Sequence, residues 1–477
     1  MCVLFALQGE VGRVILKPHK LHIGVLGGGH MAKLLAPTTK PQVSGYKFLV
    51  RRAEHGLIFG DARMIHDPLA RMRRSVALGA IACVIFAVGA GALAMVKPRA
   101  DPGDAPIVRA ASGGLYVHVD DVYHPALNLT SARLIAGQPA DPANVADEVM
   151  AYKTFGTPVG IPGAPGTIVD DKNTSGVWAA CAAGTSDTHV VEGLESPPQL
   201  GPGEFIVARD VHADSSSTTK DYVITSEGRR LLPPEGSTRG TSVRRRLGIS
   251  PDVELWEPPA QVLEIIPELA PMESLTISGE LTLVTAGEET WLDDGEGLAP
   301  VTDFQAGIVE ELGAHLRTAR KEELSGRPLS SEEIPLPKEK GTLVSLDGAT
   351  VCVTQQARVG DSGPTPPSTP PGEQNVVTDP PVVGVLPKNR QLPVGLALSG
   401  DSVATQFSAT RLGGMPVNVG DGVVLVGETG TYFPVPAESV AALGVEKASP
   451  APWPVVRLLP RGVALTATEA GVTQHGQ

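Results

Sequence analysis

The stretch Ser75–Val96, SVALGAIACVIFAVGAGALAMV, runs for 22 residues without a charge. As a helix it covers about 33 Å, enough to cross the hydrocarbon core of a bilayer. A core helix of a soluble domain would show a polar face at this length, and this stretch has none. Ala92-Leu93-Ala94 resembles the small-residue site of a cleaved signal peptide, but the 74 residues ahead of the stretch fit a signal anchor better. The chain is therefore expected to cross a membrane once.

The flanking charges orient it. Arg71, Arg73 and Arg74 precede the span; Lys97 and Arg99 follow it, offset by Asp101 and Asp104. Residues 1–74 hold 12 Lys+Arg against 4 Asp+Glu, so the rest of the chain carries more than the whole net charge of −13. The cationic side is expected in the cytoplasm, leaving roughly 380 residues outside. An acidic bulk of this size argues against nucleic acid as a partner. Within the span, Gly79, Cys83, Ala87 and Gly91 recur every four residues. Such a stripe lets a second helix approach closely in lipid, although an Ala-rich anchor with no partner has the same composition.

On the cytoplasmic side, residues 1–42 show no consistent period, and Met31 offers a second start of translation. Gly24-Val-Leu-Gly27-Gly-Gly29 lacks the helix and second strand of a dinucleotide-binding turn, because Pro37 and Pro41 intervene. From Val43 on, Tyr46, Leu49, Val50, Ala53 and Leu57 share one helical face, with Lys47, Arg51, Arg52 and Glu54 on the other. A basic amphipathic helix beside a span either lies on anionic lipid, docks on a partner, or is simply solvated.

The extracytoplasmic part, in a chain rich in Gly (54) and Pro (43), reads as short strands and turns. Four stretches share one grammar: a strand-like run, a Gly or Asp turn, a proline, and a short helix ending in Leu and a small residue. They begin at Leu115, Tyr222, Trp291 and Val423, and close at Gly137, Gly248, Gly313 and Gly444. Units this small cannot bury a core alone and should pack on neighbours. Between them, the runs ending at Cys181 and containing Cys352 should build a central β-rich domain. These are the only two cysteines on the oxidising side, so a Cys181–Cys352 disulfide is expected, worth roughly 5 kcal/mol by chain-entropy reasoning; two free thiols are the alternative. Residues 363–382 read as a Pro-rich exposed loop. Arg229, Arg230, Arg239, Arg244, Arg245 and Arg246 read as a solvated helix face, or as a contact for an acidic neighbour or envelope polymer.

Catalytic signatures are missing. No histidine is followed by Glu, no Gly-Lys pair exists for a phosphate loop, and Gly360-Asp361-Ser362-Gly363 runs into prolines with no matching histidine. His118, Asp120, Asp121 and His124 alternate across a strand, which favours a surface hairpin over a metal site. No enzyme activity, cofactor or metal is expected.

The motifs Gln42-Val-Ser-Gly-Tyr-Lys-Phe-Leu-Val-Arg-Arg52, Asp67-Pro68-Leu69, Leu115-Tyr116-Val117, Asn128-Leu-Thr-Ser-Ala-Arg-Leu134, Val159-Gly-Ile-Pro-Gly-Ala-Pro165 and Ala451-Pro-Trp453, in order around a single span, resemble the EccB family of actinobacterial type VII (ESX) secretion. The resemblance implies an inner-membrane complex with EccC, EccD and EccE near a mycosin protease, and self-association of a periplasmic domain of four repeats around a disulfide-bridged core. The family is also discussed as an ATPase, for which no motif is present here. A peptidoglycan-binding module or an ectoenzyme are the alternatives. The expected class is α+β: an N-terminal transmembrane helix, then an elongated periplasmic domain of four small α/β repeats around a central β domain. The division is a tail (1–42), basic helix (43–74), span (75–96), linker (97–114), repeat 1 (115–145), central domain (146–215), repeat 2 (216–275), repeat 3 (276–325), central domain again (326–410) and repeat 4 (411–477).

Overall fold

The computed structural model describes residues 39–60, 68–96, 103–169, 176–211, 219–272, 282–330, 334–360, 372 and 374–473. They fall into one unit up to Lys97 and a second from Pro98 onward. The expected tail lies outside the described residues up to position 38.

In the first unit, helix α1 spans Lys40–Phe59 and helix α2 spans Pro68–Val96. Thr39 opens α1, donating its N–H to Gln42 Oε1 at 3.0 Å, and Pro41 sits in the first turn where its missing N–H costs nothing. Gly60, with φ of 66°, ends it in the left-handed conformation. A single helix over 43–74 is thus corrected: α1 stops at Phe59, and Pro68 to Arg74 form the first turns of the apolar helix. Within α2, the window Arg74–Gly91 has a mean hydropathy of 1.8, long and apolar enough to cross a membrane.

Among its described residues the second unit is α+β, with five sheets. The first sheet introduces a plan that recurs. Strands β1 (Ile107–Ala110), β2 (Leu115–Val119) and β3 (Val122–Pro125) form an antiparallel meander, helix α3 (Leu129–Ala136) crosses over, and β4 (Ala143–Val145) returns parallel to β1. Asp120 and Asp121 make the two-residue turn between β2 and β3 with positive φ, a conformation that Asp tolerates better than most residues. Asn128 caps α3 by accepting from Ser131 N at 2.9 Å, and Gly137 (φ 66°) ends it.

Strands Thr282–Ala286, Glu289–Asp293, Leu298–Val301 and His315–Thr318, with helix Asp303–Glu311, repeat this order; so do Met415–Asn418, Val423–Val426, Tyr432–Val435 and Ser449–Pro450 with helix Ala437–Leu443. The second sheet differs. Its meander is Glu204–Asp210, Lys220–Thr225 and Gly228–Leu231, followed by helix Thr238–Leu247, but the strand parallel to its first is Thr342–Leu343. The third sheet is inserted between helix and closing strand.

Several expected boundaries move accordingly. Ile107–Ala110 lies within the expected linker 97–114, and Glu204–Asp210 and Thr342–Leu343, assigned to the central domain, complete the second small sheet. The physical reason is that Ile107–Ala110 and Thr342–Leu343 are too short for a periodic signature, and Glu204–Asp210, though seven residues long, does not show from its own pattern which sheet it joins. Part of the expected loop 363–382 is also strand: Val376–Thr378 and Val382–Val385 both pair with Val351–Val359.

The small sheets carry a helix on one face and cannot close alone, so they share cores. The first and fourth pack together through Leu134, Ile161, Leu425, Phe433 and Leu443. The second and third do so through Val243, Leu247, Leu283, Leu292 and Ile308. The central seven-stranded sheet supplies Trp178, Val190, Val351 and Val353 to a third core, completed by Ile206, Ile224 and Trp256 on one side and Val417, Val424 and Tyr432 on the other.

Candidate functional site

The middle of the central sheet holds the expected covalent link. Cys181 on Val177–Ala182 faces Cys352 on Val351–Val359 in register, and the two sulfurs are bonded. Both residues are fully buried, and 171 positions separate them. The bond therefore ties two distant halves of the second unit together at one point of one sheet.

A cleft of about 690 Å³ lies elsewhere, between helix Thr238–Leu247 and the strands beneath it. Its floor is apolar (Val207, Ile249, Val253, Leu255) and its wall is charged. Asp221, only 5% exposed, accepts from Arg209 Nε at 2.8 Å and Nη2 at 3.1 Å through its two oxygens, and from Arg244 Nη2 at 2.9 Å. Burial alone would raise the Asp221 carboxyl; the hydrogen bonds and charges of the two arginines outweigh it and hold the group below the ordinary aspartate range. Arg244 also donates to Pro233 O at 2.6 Å. The cleft wall is thus a closed ion-pair network rather than a set of free catalytic groups.

The neighbouring arginines follow the same logic, which corrects the reading of a solvated basic face. Arg229 reaches Ile266 O at 3.0 Å and Glu268 at 3.0 Å, and its guanidinium stacks 4.9 Å from the Tyr222 ring. Arg230 donates to Ala270 O. Arg245 (2.7 Å) and Arg246 both bind Glu311 on helix Asp303–Glu311 of the third sheet, holding that carboxyl low against its desolvation. Arg229, Arg230 and Arg244 thus fasten the second small unit to itself, and Arg245 and Arg246 fasten it to the third, with Arg245 still largely exposed.

His189 bridges two central strands, its Nε2 3.0 Å from Ser408 Oγ. Burial lowers its pKa, and Asp187 only partly restores it. His118 stacks on Tyr123 at 4.4 Å, and His124 Nδ1 lies 3.0 Å from Thr157 O, so the hairpin histidines are structural. Among the described residues no group of His, Cys, Asp and Glu is arranged for a metal. Sequence reasoning missed Asp221; the available signal was a carboxylate opening the apolar run Tyr222-Val223-Ile224.

On the membrane-side unit, Gly79, Cys83, Ala87 and Gly91 are all exposed along α2, with Cys83 a free thiol. Tyr46, Leu49, Arg51 and Arg52 are exposed on α1.

The family model described as "Type VII secretion system ESX-1, transport TM domain B" matches residues 35–476, covering both units. The chain belongs to the EccB family. The ESX-1 secretion system ATPase EccB1 of Mycobacterium tuberculosis (strain H37Rv) is 29% identical over 469 residues, covering 92% of this chain and 95% of that protein. The ESX-3 secretion system ATPase EccB3 of Mycolicibacterium smegmatis is 35% identical over 196 residues, 39% of this chain and 37% of that one. Among solved structures, a chain of an intact ESX-5 inner membrane complex matches with a TM-score of 0.64 at 23% identity, covering 94% of this chain and 98% of its own. A chain of an EccB3 dimer from the ESX-3 core complex matches at 0.57 and 22%, covering 77% and 100%. These likenesses establish a shared EccB fold.

Proposed function

We propose that this EccB chain is a structural subunit of an inner-membrane type VII (ESX) secretion complex, anchored by α2 with its N-terminus in the cytoplasm and its large unit in the periplasm. The observation that carries this reading is that the family match runs unbroken across span and periplasmic unit. The four small sheets are read as diverged copies of one β-β-β-α-β unit, each one-sided and each using a neighbour to close its core. Association is the mechanism: the periplasmic unit meets copies of itself, the Gly79, Cys83, Ala87 and Gly91 stripe packs against another helix, and Tyr46, Leu49, Arg51 and Arg52 meet a partner or anionic headgroups at the cytoplasmic face. EccC, EccD, EccE and a mycosin are the partners this family membership implies. Purification of the tagged, full-length chain in mild detergent should co-elute such subunits, and recovery of a lone monomer would refute the proposal. Replacing Gly79 and Gly91 together with Leu should reduce crosslinking through Cys83 in membranes.

The word ATPase in the relatives' names motivates a direct check. In this chain the cleft beside helix Thr238–Leu247 commits Arg209 and Arg244 to Asp221, and the sequence has no Gly-Lys phosphate loop. We read it as non-enzymatic; nucleotide turnover by the purified chain that is lost with Asp221→Asn would overturn that. Binding to peptidoglycan is the remaining alternative, tested by sedimentation with purified cell wall.

A further inference from the structure

The first small sheet carries an exposed aromatic edge. Tyr152 is 91% exposed and Phe155 47%, the two most exposed aromatic side chains among the described residues of the second unit, and Leu127 is 52% exposed. The backbone sets them along one side of β3. Residues 154–159 run beside that strand, with Tyr123 N donating to Thr154 O at 2.8 Å, Gly156 N to Tyr123 O at 3.0 Å and Leu127 N to Val159 O at 3.1 Å. Phe155 therefore stands at the rim of the sheet, its ring 5.4 Å from that of Tyr116. Tyr152 is held in the preceding turn, where its N–H donates to Val149 O at 3.3 Å. Lys153 places its Nζ 5.7 Å from the centre of the Tyr123 ring.

Exposed rings of this kind suit a membrane–water interface, where the ring body meets apolar tails and the tyrosine hydroxyl stays wet. The place of the edge in the chain selects that occupant. Helix α2 ends at Val96 and β1 begins at Ile107. Fully extended, residues 97–106 let the first strand stray at most about 40 Å from the end of α2. The other small sheets follow further along the chain and have no such short tether. Charge does not draw the edge to anionic headgroups, because Lys153 is opposed by Glu148 on the preceding turn and by exposed Asp120 and Asp121 at the turn into β3. The attraction is that of aromatic and apolar surface for the interface itself.

We propose that Tyr152, Phe155 and Leu127 form a second membrane contact, seating the edge of the first small sheet in the headgroup layer on the periplasmic side. The inference rests on the reading of α2 as a membrane span. It turns a one-point anchor into a two-point one.

The test uses the full-length chain in phosphatidylcholine nanodiscs. Cys2→Ser and Cys83→Ser clear the free thiols, and Ala151→Cys, at an exposed position next to Tyr152, carries the environment-sensitive fluorophore NBD. A lipid with a nitroxide near its headgroup should quench this probe by about half, since interfacial groups sit only about 5–10 Å deep. A nitroxide deep in the acyl chains should quench it less. The same probe on Val394→Cys, at a position 98% exposed, should stay unquenched. Tyr152→Ser/Phe155→Ser should abolish quenching at position 151, Tyr152→Ser alone should weaken it, and Tyr152→Trp should retain it; thermal melting establishes that each variant is folded. In a separate chain the native Cys83 is labelled and read with the deep nitroxide. Quenching at Cys83 without quenching at 151 overturns the contact and leaves the span standing, whereas quenching at neither overturns both. Quenching at 151 that ignores Tyr152→Ser, or that grows when phosphatidylglycerol is added, overturns the aromatic contact. A blue-shifted probe at 151 that neither nitroxide reaches overturns it too, since the edge would then be covered by a second copy of the chain.

Discussion

Removing the Cys181–Cys352 bond should lower the stability of the second unit without changing its native structure. The two cysteines face one another on strands already joined by backbone hydrogen bonds from Val177 to Ala182, so register does not depend on the sulfurs. The bond acts on the unfolded chain, where it closes a loop across 171 positions and contributes about 5 kcal/mol in the chain-entropy picture. A unit of roughly 380 residues has a melting entropy of about 0.8 kcal/mol/K, so the melting temperature should fall by about 6 °C if the unit melts as one. Cys181→Ala/Cys352→Ala adds a small packing loss, because both positions are buried. Cys181→Val/Cys352→Ala returns most of that volume while leaving the loop open. Both variants should therefore lose the entropic share, and both should show a steeper denaturant slope, since an uncrosslinked unfolded chain exposes more surface. Calorimetry and urea titration read the two quantities. If both variants melt within about 1 °C of the parent with an unchanged slope, the loop-closure reasoning fails. If near-ultraviolet dichroism changes as well, the bond is holding native register, contrary to the sheet pairing.

Two further perturbations probe the buried charges. Asp221→Asn leaves Arg209 and Arg244 facing each other without their carboxylate, and should cost about 3 kcal/mol, the lower end for a broken buried pair because Arg209 is partly exposed. Because the Asp221 carboxyl is held low in the folded state, its contribution is present above about pH 4 and is shed as pH falls through its folded value; the variant should flatten that acid limb in pH-dependent melts. His189 is also held low, by burial, so below about pH 6.5 the unfolded chain takes up a proton that the folded chain refuses, and stability declines. His189→Gln should shrink the difference between melting temperatures at neutral and mildly acidic pH, and an unchanged difference would exclude His189 as its source.

What the sequence made legible was local. The uncharged span is a run, and the helix ends at Gly137, Gly248, Gly313 and Gly444 are left-handed glycines, with φ between 66° and 95°. The disulfide followed from compartment and count. What escaped was non-local. The pairing of Thr342–Leu343 with Glu204–Phe205 joins two residues to a partner more than a hundred positions earlier, with a whole small unit inserted between. Ile107–Ala110 lies beside both β2 and β4 and gains strand character from those neighbours. The arginine cluster was visible as charge, but its partners Asp221, Glu268 and Glu311 are set by folding, so a solvated face and an internal network looked alike.

The core sharing has a consequence at a distance. Leu134 of α3 and Ile161 just beyond the first small sheet are covered by Leu425, Phe433 and Leu443, nearly 300 positions away, and Arg133 Nη1 donates to Leu443 O at 3.1 Å. A chain stopped after Thr410 keeps every residue of the first sheet but strips this cover. Each large apolar side chain returned to water costs about 1.5 to 3 kcal/mol, and two of them amount to more than the marginal stability that a sheet this small could hold alone. Hydrogen exchange on the truncated chain should therefore show residues 107–145 losing protection at least tenfold. Residues 282–318 should retain theirs, because their core is completed by Val243 and Leu247 of the second unit. Equal protection of 107–145 in both chains would mean the first sheet closes its own core, and the one-sided unit would no longer explain why the chain brings its two ends together.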